Sequence, residues 1–129
     1  AAISITSGVT TALTFDSERW DTDTIHSTVS NTGRLTATTA GKYIIVAQVI
    51  FASNSTGVRA AEIRLNGTTS LVRQLLTATS STSPVVVSTI YNFAATDYVE
   101  VLVDQNSGGA LDVSVDSNRS PEFMMQKIG

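Results

Sequence analysis

Residues 14–27, TFDSERWDTDTIHS, crowd Asp16, Glu18, Asp21 and Asp23 around the sole Trp (Trp20) and the sole His (His26) of the chain. Three chemistries use groups of this kind. A catalytic His needs a nucleophile and an orienting carboxylate in a cleft, but Ser7, Ser17 and Ser27 stand in no G-x-S-x-G context. Ca²⁺ takes about six to eight oxygens, and the D-x-D spacing of Asp21 and Asp23 puts both on one face of a strand or loop. No EF-hand continuation follows them. A glycosidase needs two carboxylates flanking a sugar, and with eleven acids in so short a chain such pairs arise by chance. The favoured reading is blander: solvated turn acids, and a hydrogen-bonded structural His at a strand end. Asp112 and Asp116 form a second acidic pair, with the same two readings. Trp20, Tyr91 and Tyr98 could stack on a carbohydrate, although a lone Trp in a small domain is more often core or interface.

Composition narrows the field. At 129 residues and 42% hydrophobic content, the chain suits one globular domain with a single core, residues 1–129. Its opening at Ala1-Ala2-Ile3 suits a processed product or the C-terminal domain of something longer. Cysteine is absent, so disulfides are excluded and a zinc site would have to lean on one His and carboxylates. A net charge of −3, with eight scattered Lys and Arg, supplies no nucleic-acid footprint. No apolar run approaches the roughly 20 residues of a membrane helix. Gly108-Gly109 belongs to no phosphate-cradling motif.

The elements that must position these groups are strands. Ser and Thr make up roughly a quarter of the chain, Val and Ile are frequent, and strong helix formers are thin. Period-2 segments separated by turn residues recur at residues 2–6, 11–15, 34–37, 42–52, 58–65, 68–76, 85–93, 98–105, 110–115 and 123–128. Asn66-Gly67, between two alternating runs, is the strongest hairpin signal. The N-x-[ST] sites at Asn54, Asn66 and Asn118 read as turn formers. An all-β antiparallel sandwich follows, a jelly roll of about eight to ten strands.

One strand breaks the rule that an antiparallel strand with a wet face alternates apolar and polar. Along residues 42–52, Tyr43, Ile45, Ala47, Val49 and Phe51 share one face, while Ile44, Val46, Gln48, Ile50 and Ala52 share the other. Residues 85–93 repeat the pattern more weakly, with Val85, Val87, Tyr91 and Phe93 against Val86 and Ile90. A two-layer sandwich has nothing of its own to cover such an outer face. Either a second subunit or a long loop must do so, and the subunit is the more economical cover.

An ordered set of motifs resembles the complement 1q / tumour necrosis factor superfamily: Phe15 on the first strand, Gly33, Leu35 and Thr36, then Gly41, Tyr43 and Ile45 opening the longest strand. Ile63, Leu65, Asn66 and Gly67 follow, then Thr96, Asp97, Val99 and Val101, and finally Ser120 and Phe123. Thr96 and Met125 stand where that pattern carries Gly. The wording F-D-S-E-R-W-D-T-D, A-G-K-Y, E-I-R-L-N-G-T and S-P-E-F is similar to domains of tailed-phage virion proteins and bacterial surface proteins. The resemblance implies a homotrimeric jelly roll that decorates a capsid or forms a fibre or spike tip, with capsid or stalk proteins as partners and no enzymatic activity. Its alternative is a phage-tail or bacterial-surface adhesion module binding a host glycan or protein, with Trp20 and Tyr98 as candidate contacts and loops 53–57, 77–84 and 104–109 facing outward. Tyr43, Ile44, Ile45, Val46, Val49, Ile50, Phe51, Tyr91, Phe93 and Phe123 become the candidates for core and trimer interface. No cofactor is expected; Ca²⁺ is the one option, with Asp21 and Asp23 as one candidate pair of ligands and Asp112 and Asp116 as another, the latter in the region where some trimeric relatives hold Ca²⁺ near the axis. The expected location is the virion, the alternative an extracellular or bacterial surface.

Overall fold

The alternating runs emerge as strands in a computed structural model, which describes residues 3–14, 32–113 and 122–129. Among the described residues the elements are β1 (Ile3–Ile5), β2 (Thr11–Ala12), β3 (Arg34–Thr36), β4 (Gly41–Phe51), β5 (Val58–Leu65), β6 (Thr69–Thr77), β7 (Ser83–Phe93), β8 (Tyr98–Gln105), β9 (Leu111–Val113) and β10 (Glu122–Lys127), and no helix is present. They form two antiparallel sheets, the first holding β1, β9, β4, β10 and β7 and the second β2, β3, β8, β5 and β6. In the first, β4 pairs with β7 along its whole length, from Gly41↔Phe93 to Phe51↔Ser83. Its other edge takes β10, from Tyr43↔Lys127 to Gln48↔Glu122, and then β9 at Phe51↔Val113. In the second, β5 lies between β8 and β6.

Odd-numbered side chains of β4 fill the space between the sheets. Tyr43, Ile45, Val49 and Phe51 meet Val85, Val87 and Phe93 from β7 and Ile63, Val99, Val101 and Val103 from the facing sheet in one buried cluster. Tyr43 also packs edge-on against Phe93, ring centroids 5.5 Å apart, and its hydroxyl donates to the Thr39 carbonyl at 2.6 Å. Phe123 is half-buried against this cluster, and Met125, in place of the Gly of the resembled pattern, is buried within it.

Turn chemistry fixes the registers. Asn66 and Gly67 both adopt positive φ, 52° and 76°, the left-handed backbone these residues favour. With Thr68 they make a three-residue connection from Leu65 to Thr69, closed by the Thr68 amide donating to the Leu65 carbonyl at 3.0 Å. The Asn66 side chain then ties this turn to the next one: its Oδ1 accepts from the Tyr98 amide at 3.0 Å and its Nδ2 donates to Asp97 Oδ1 at 3.1 Å. The expected loop 77–84 is shorter than its polar composition implies, because β7 starts at Ser83. Pro84 is tolerated there because, among the described residues, β7 is an edge strand paired only with β4.

Thr96, the second departure from the resembled pattern, has φ of 75°. That is left-handed backbone, which a β-branched residue adopts at a cost of roughly 1–2 kcal/mol. Thr96→Gly removes the strain and gives back part of the gain as unfolded-chain entropy, about 0.4–1 kcal/mol. We expect a net stabilisation of up to about 1 kcal/mol, read as a higher urea midpoint at unchanged slope. An unchanged or lower midpoint would show that the Thr96 side chain does something for this turn that glycine cannot.

Candidate functional site

The two sheets present opposite chemistries to the outside. On the second sheet the outward positions of β3, β5, β6 and β8 carry Arg34, Glu62, Arg64, Arg73, Glu100 and Asp104, three of each sign. Register sets opposite charges beside one another, Arg34 and Arg64 each opposite Glu100, and Glu62 opposite Arg73. Arg64 Nη2 reaches Glu62 Oε1 at 2.9 Å and Arg73 Nη2 reaches Asp104 Oδ2 at 3.1 Å. Glu62 is largely buried beneath its partner, whereas the Arg73–Asp104 pair is exposed and contributes about 0–1 kcal/mol. Leu75, opposite Ala60, is the one large exposed hydrophobic among the described residues of this face.

The outward face of the first sheet carries an apolar strip among polar positions such as Lys42, Gln48, Ser88 and Gln126. Register places Ile44 opposite Ile90, Gln48 opposite Val86, Ile50 opposite Pro84, and Met124 of β10 opposite Val46. Ile44, Val86 and Ile90 are 38%, 53% and 58% exposed, while Ile50, on the same face, is only 6% exposed. The chain therefore covers one end of this face itself and leaves the other open, a contiguous patch of the kind that marks contact with a partner. Ile50 is covered within the chain, and Ile44, Val86 and Ile90 are left open.

The structure also divides the candidate interface residues. Tyr43, Ile45, Val49, Phe51 and Phe93 point between the sheets and are buried in the core of the single chain. They are not surface, so only Ile44, Val46 and the exposed part of β7 remain as contact positions. Tyr91 points inward at the sheet edge and is partly exposed, its ring edge-on to Phe93 at 5.1 Å. Met124 escaped the sequence reading, although its alternation with Phe123 and Met125 carried the signal.

The other candidates fare differently. Asp16, Glu18, Trp20, Asp21, Asp23, His26 and Asp116 lie outside the described residues, as does Phe15. Asp112 is exposed on β9, opposite Ser4. Among the described residues no three carboxylate or imidazole side chains gather where they could hold a metal. Tyr98 is half-buried with the Arg34 guanidinium 4.0 Å above its ring, so one of its two faces is already occupied.

Loops 53–57 and 104–109 meet at one end of the sandwich. Asn106 Oδ1 accepts from the Val58 amide at 2.7 Å, and Gly57, with φ of 83°, lies so close to Asn106 that any Cβ would collide with it. Asn54 Oδ1 accepts from the Thr56 amide at 2.8 Å, the turn-forming role expected of it. Gln105 corrects the expected outward loop, because it is buried at the end of β8. Its Nε2 donates to the Ile5 and Gly109 carbonyls, each at 2.8 Å, and its Oε1 accepts from the Ser107 amide at 2.8 Å. Two β-turn loops are thereby sewn to β1 and β5 as one surface.

No protein-family model and no curated protein matches the sequence. Among solved structures, the fold is similar to an Eiger TNF from S. frugiperda, with a TM-score of 0.69 at 12% identity, covering 99% of this chain and 85% of that one. It is also similar to the globular domain of a zebrafish complement 1qA protein, with a TM-score of 0.63 at 15% identity, covering 99% of this chain and 97% of that one. The chain thus has a complement 1q / tumour necrosis factor-like jelly-roll fold.

Proposed function

We propose that this chain is a non-enzymatic structural domain of a phage virion, a homotrimer that decorates a capsid or forms a fibre or spike tip. The observation that carries the proposal is the open apolar strip from Ile44 to Ile90 on the first sheet, set against the paired charges on the outward side of the second. Burying an exposed Ile or Val side chain completely contributes about 1.5–3 kcal/mol. Repeated in every subunit, that is enough to hold an assembly together. Cyclic symmetry closes such an assembly and prevents open-ended growth. The virion setting is supported by the F-D-S-E-R-W-D-T-D, A-G-K-Y and E-I-R-L-N-G wording, with capsid or stalk proteins as partners.

Light scattering at micromolar concentration is expected to return three times the 13.6 kDa chain mass. A monomer would sink the proposal. A second reading, an adhesion module for host glycan or protein on a phage tail or a bacterial surface, is favoured by the stitched loop end, which offers a preformed polar surface. Saturable binding to host cells that is abolished by Trp20→Ala would select it.

A further inference from the structure

Three polar residues sit inside the loop-bearing end of the sandwich: Arg59, Ser83 and Gln105, each almost completely buried. Gln105 is fully hydrogen-bonded, as described above. The other two are not. Arg59 shares the inward face of β5 with Ala61, Ile63 and Leu65, and its side chain is 0% exposed. Its Nη1 donates to the Thr56 and Val58 carbonyls at 2.9 and 3.0 Å, and its Nη2 to the Asn54 carbonyl at 2.9 Å. All three acceptors are neutral. Among the described residues, Arg59 Nε has no hydrogen-bond partner. Burial holds the guanidinium pKa below its ordinary value.

Ser83 opens β7 directly opposite Phe51, so its side chain shares the inward face of that residue. It is 2% exposed, and its Oγ is, with Arg59 Nε, one of the two buried side-chain polar atoms without a partner among the described residues. The chain runs from Phe51 through Asn54 and Thr56 to Arg59, and β5 and β7 contact one another across the interior. The two unpartnered atoms therefore belong to the same end of the core, one on each sheet.

We infer that Arg59 and Ser83 form a binding site for a small monovalent anion of the halide class. Nε–H and Oγ–H are both donors, and a buried cation is stabilised most by a charge of opposite sign. Water would satisfy the two dipoles and leave the charge uncompensated. Sulfate or phosphate brings more charge than one guanidinium offsets and needs more donors than two. The carbonyls of Asn54, Thr56 and Val58 take the other edge of the guanidinium, which leaves Nε for the anion. A bound halide would connect the 53–57 loop to β7, linking the two sheets at the end where both loops gather.

Thermal unfolding at constant ionic strength tests this, with sodium gluconate replaced stepwise by sodium chloride or bromide. The melting temperature is expected to rise saturably by about 5 °C, as for a ligand at roughly ten times its Kd. Ser83→Ala, a small change at a site that keeps the Arg59 hydrogen bonds, is expected to abolish most of that rise. Arg59→Met should abolish it entirely where the variant folds. A bromide-soaked crystal should give an anomalous peak beside Arg59 Nε. A melting temperature indifferent to halide, a full rise retained in Ser83→Ala, or bromide absent from Arg59 would each overturn the assignment.

Discussion

Ile90→Asp is expected to convert the proposed trimer into monomers while leaving the chain folded. In the single chain Ile90 is more than half exposed, paired across the ladder with Ile44 on the outward face. An Asp there remains solvated in the monomer, and the cost is the β-propensity difference, at most about 1 kcal/mol. In the assembly the same substitution removes about 2 kcal/mol of apolar burial per subunit. It also takes a carboxylate out of water, with a penalty of several kcal/mol for each ion left unpaired. The assembly term exceeds the folding term several-fold. Light scattering should show the mass fall to that of one chain at concentrations where the parent is trimeric, and far-ultraviolet dichroism should show the strand signal unchanged. A variant that stays trimeric would place the contact elsewhere and remove the main support for the structural reading.

Tyr43→Ala is expected to do the reverse and unfold the chain. Tyr43 lies one residue from Ile44 but points between the sheets, fully buried, with its ring on Phe93 and its hydroxyl on the Thr39 carbonyl. Truncating a buried aromatic costs about 3–5 kcal/mol, a large part of the roughly 5–15 kcal/mol that holds a domain folded. Tyr43→Phe keeps the packing and loses one hydrogen bond, about 1 kcal/mol. Urea unfolding should rank parent, Tyr43→Phe and Tyr43→Ala in that order, with the last partly unfolded in buffer. Were Tyr43→Ala to fold normally and only dissociate, β4 would be facing the opposite way in the assembly. Together the two variants separate the faces of one strand.

Much of this architecture was legible in the residues. The run 42–52 announces a long strand and Asn66-Gly67 a hairpin; the strand is found as Gly41–Phe51 and the hairpin between Leu65 and Thr69. Thr96 was marked as a departure from a glycine position, and it proves to occupy glycine backbone. Other features were hidden. Arg59, Glu62 and Arg64 look equivalent in V-R-A-A-E-I-R-L, yet Arg59 points inward and the other two outward. Gln105 reads as the start of a polar loop and turns out to anchor one from inside.

The sequence by itself determined where the strands and turns lie, which residues share a face, and that β4 has no polar side. Side-chain alternation and positive φ depend on a residue and its immediate neighbours, so they can be read along the chain. Only the tertiary structure decided which outward face is left open and which charges are taken inside. Ile44 and Ile50 share a face of one strand, yet the first is well exposed and the second is covered. Burial is set by whatever distant segment crosses above a residue. Arg59 shows the same dependence, because the carbonyls that receive it come together only when the end of β4 turns back to meet the start of β5.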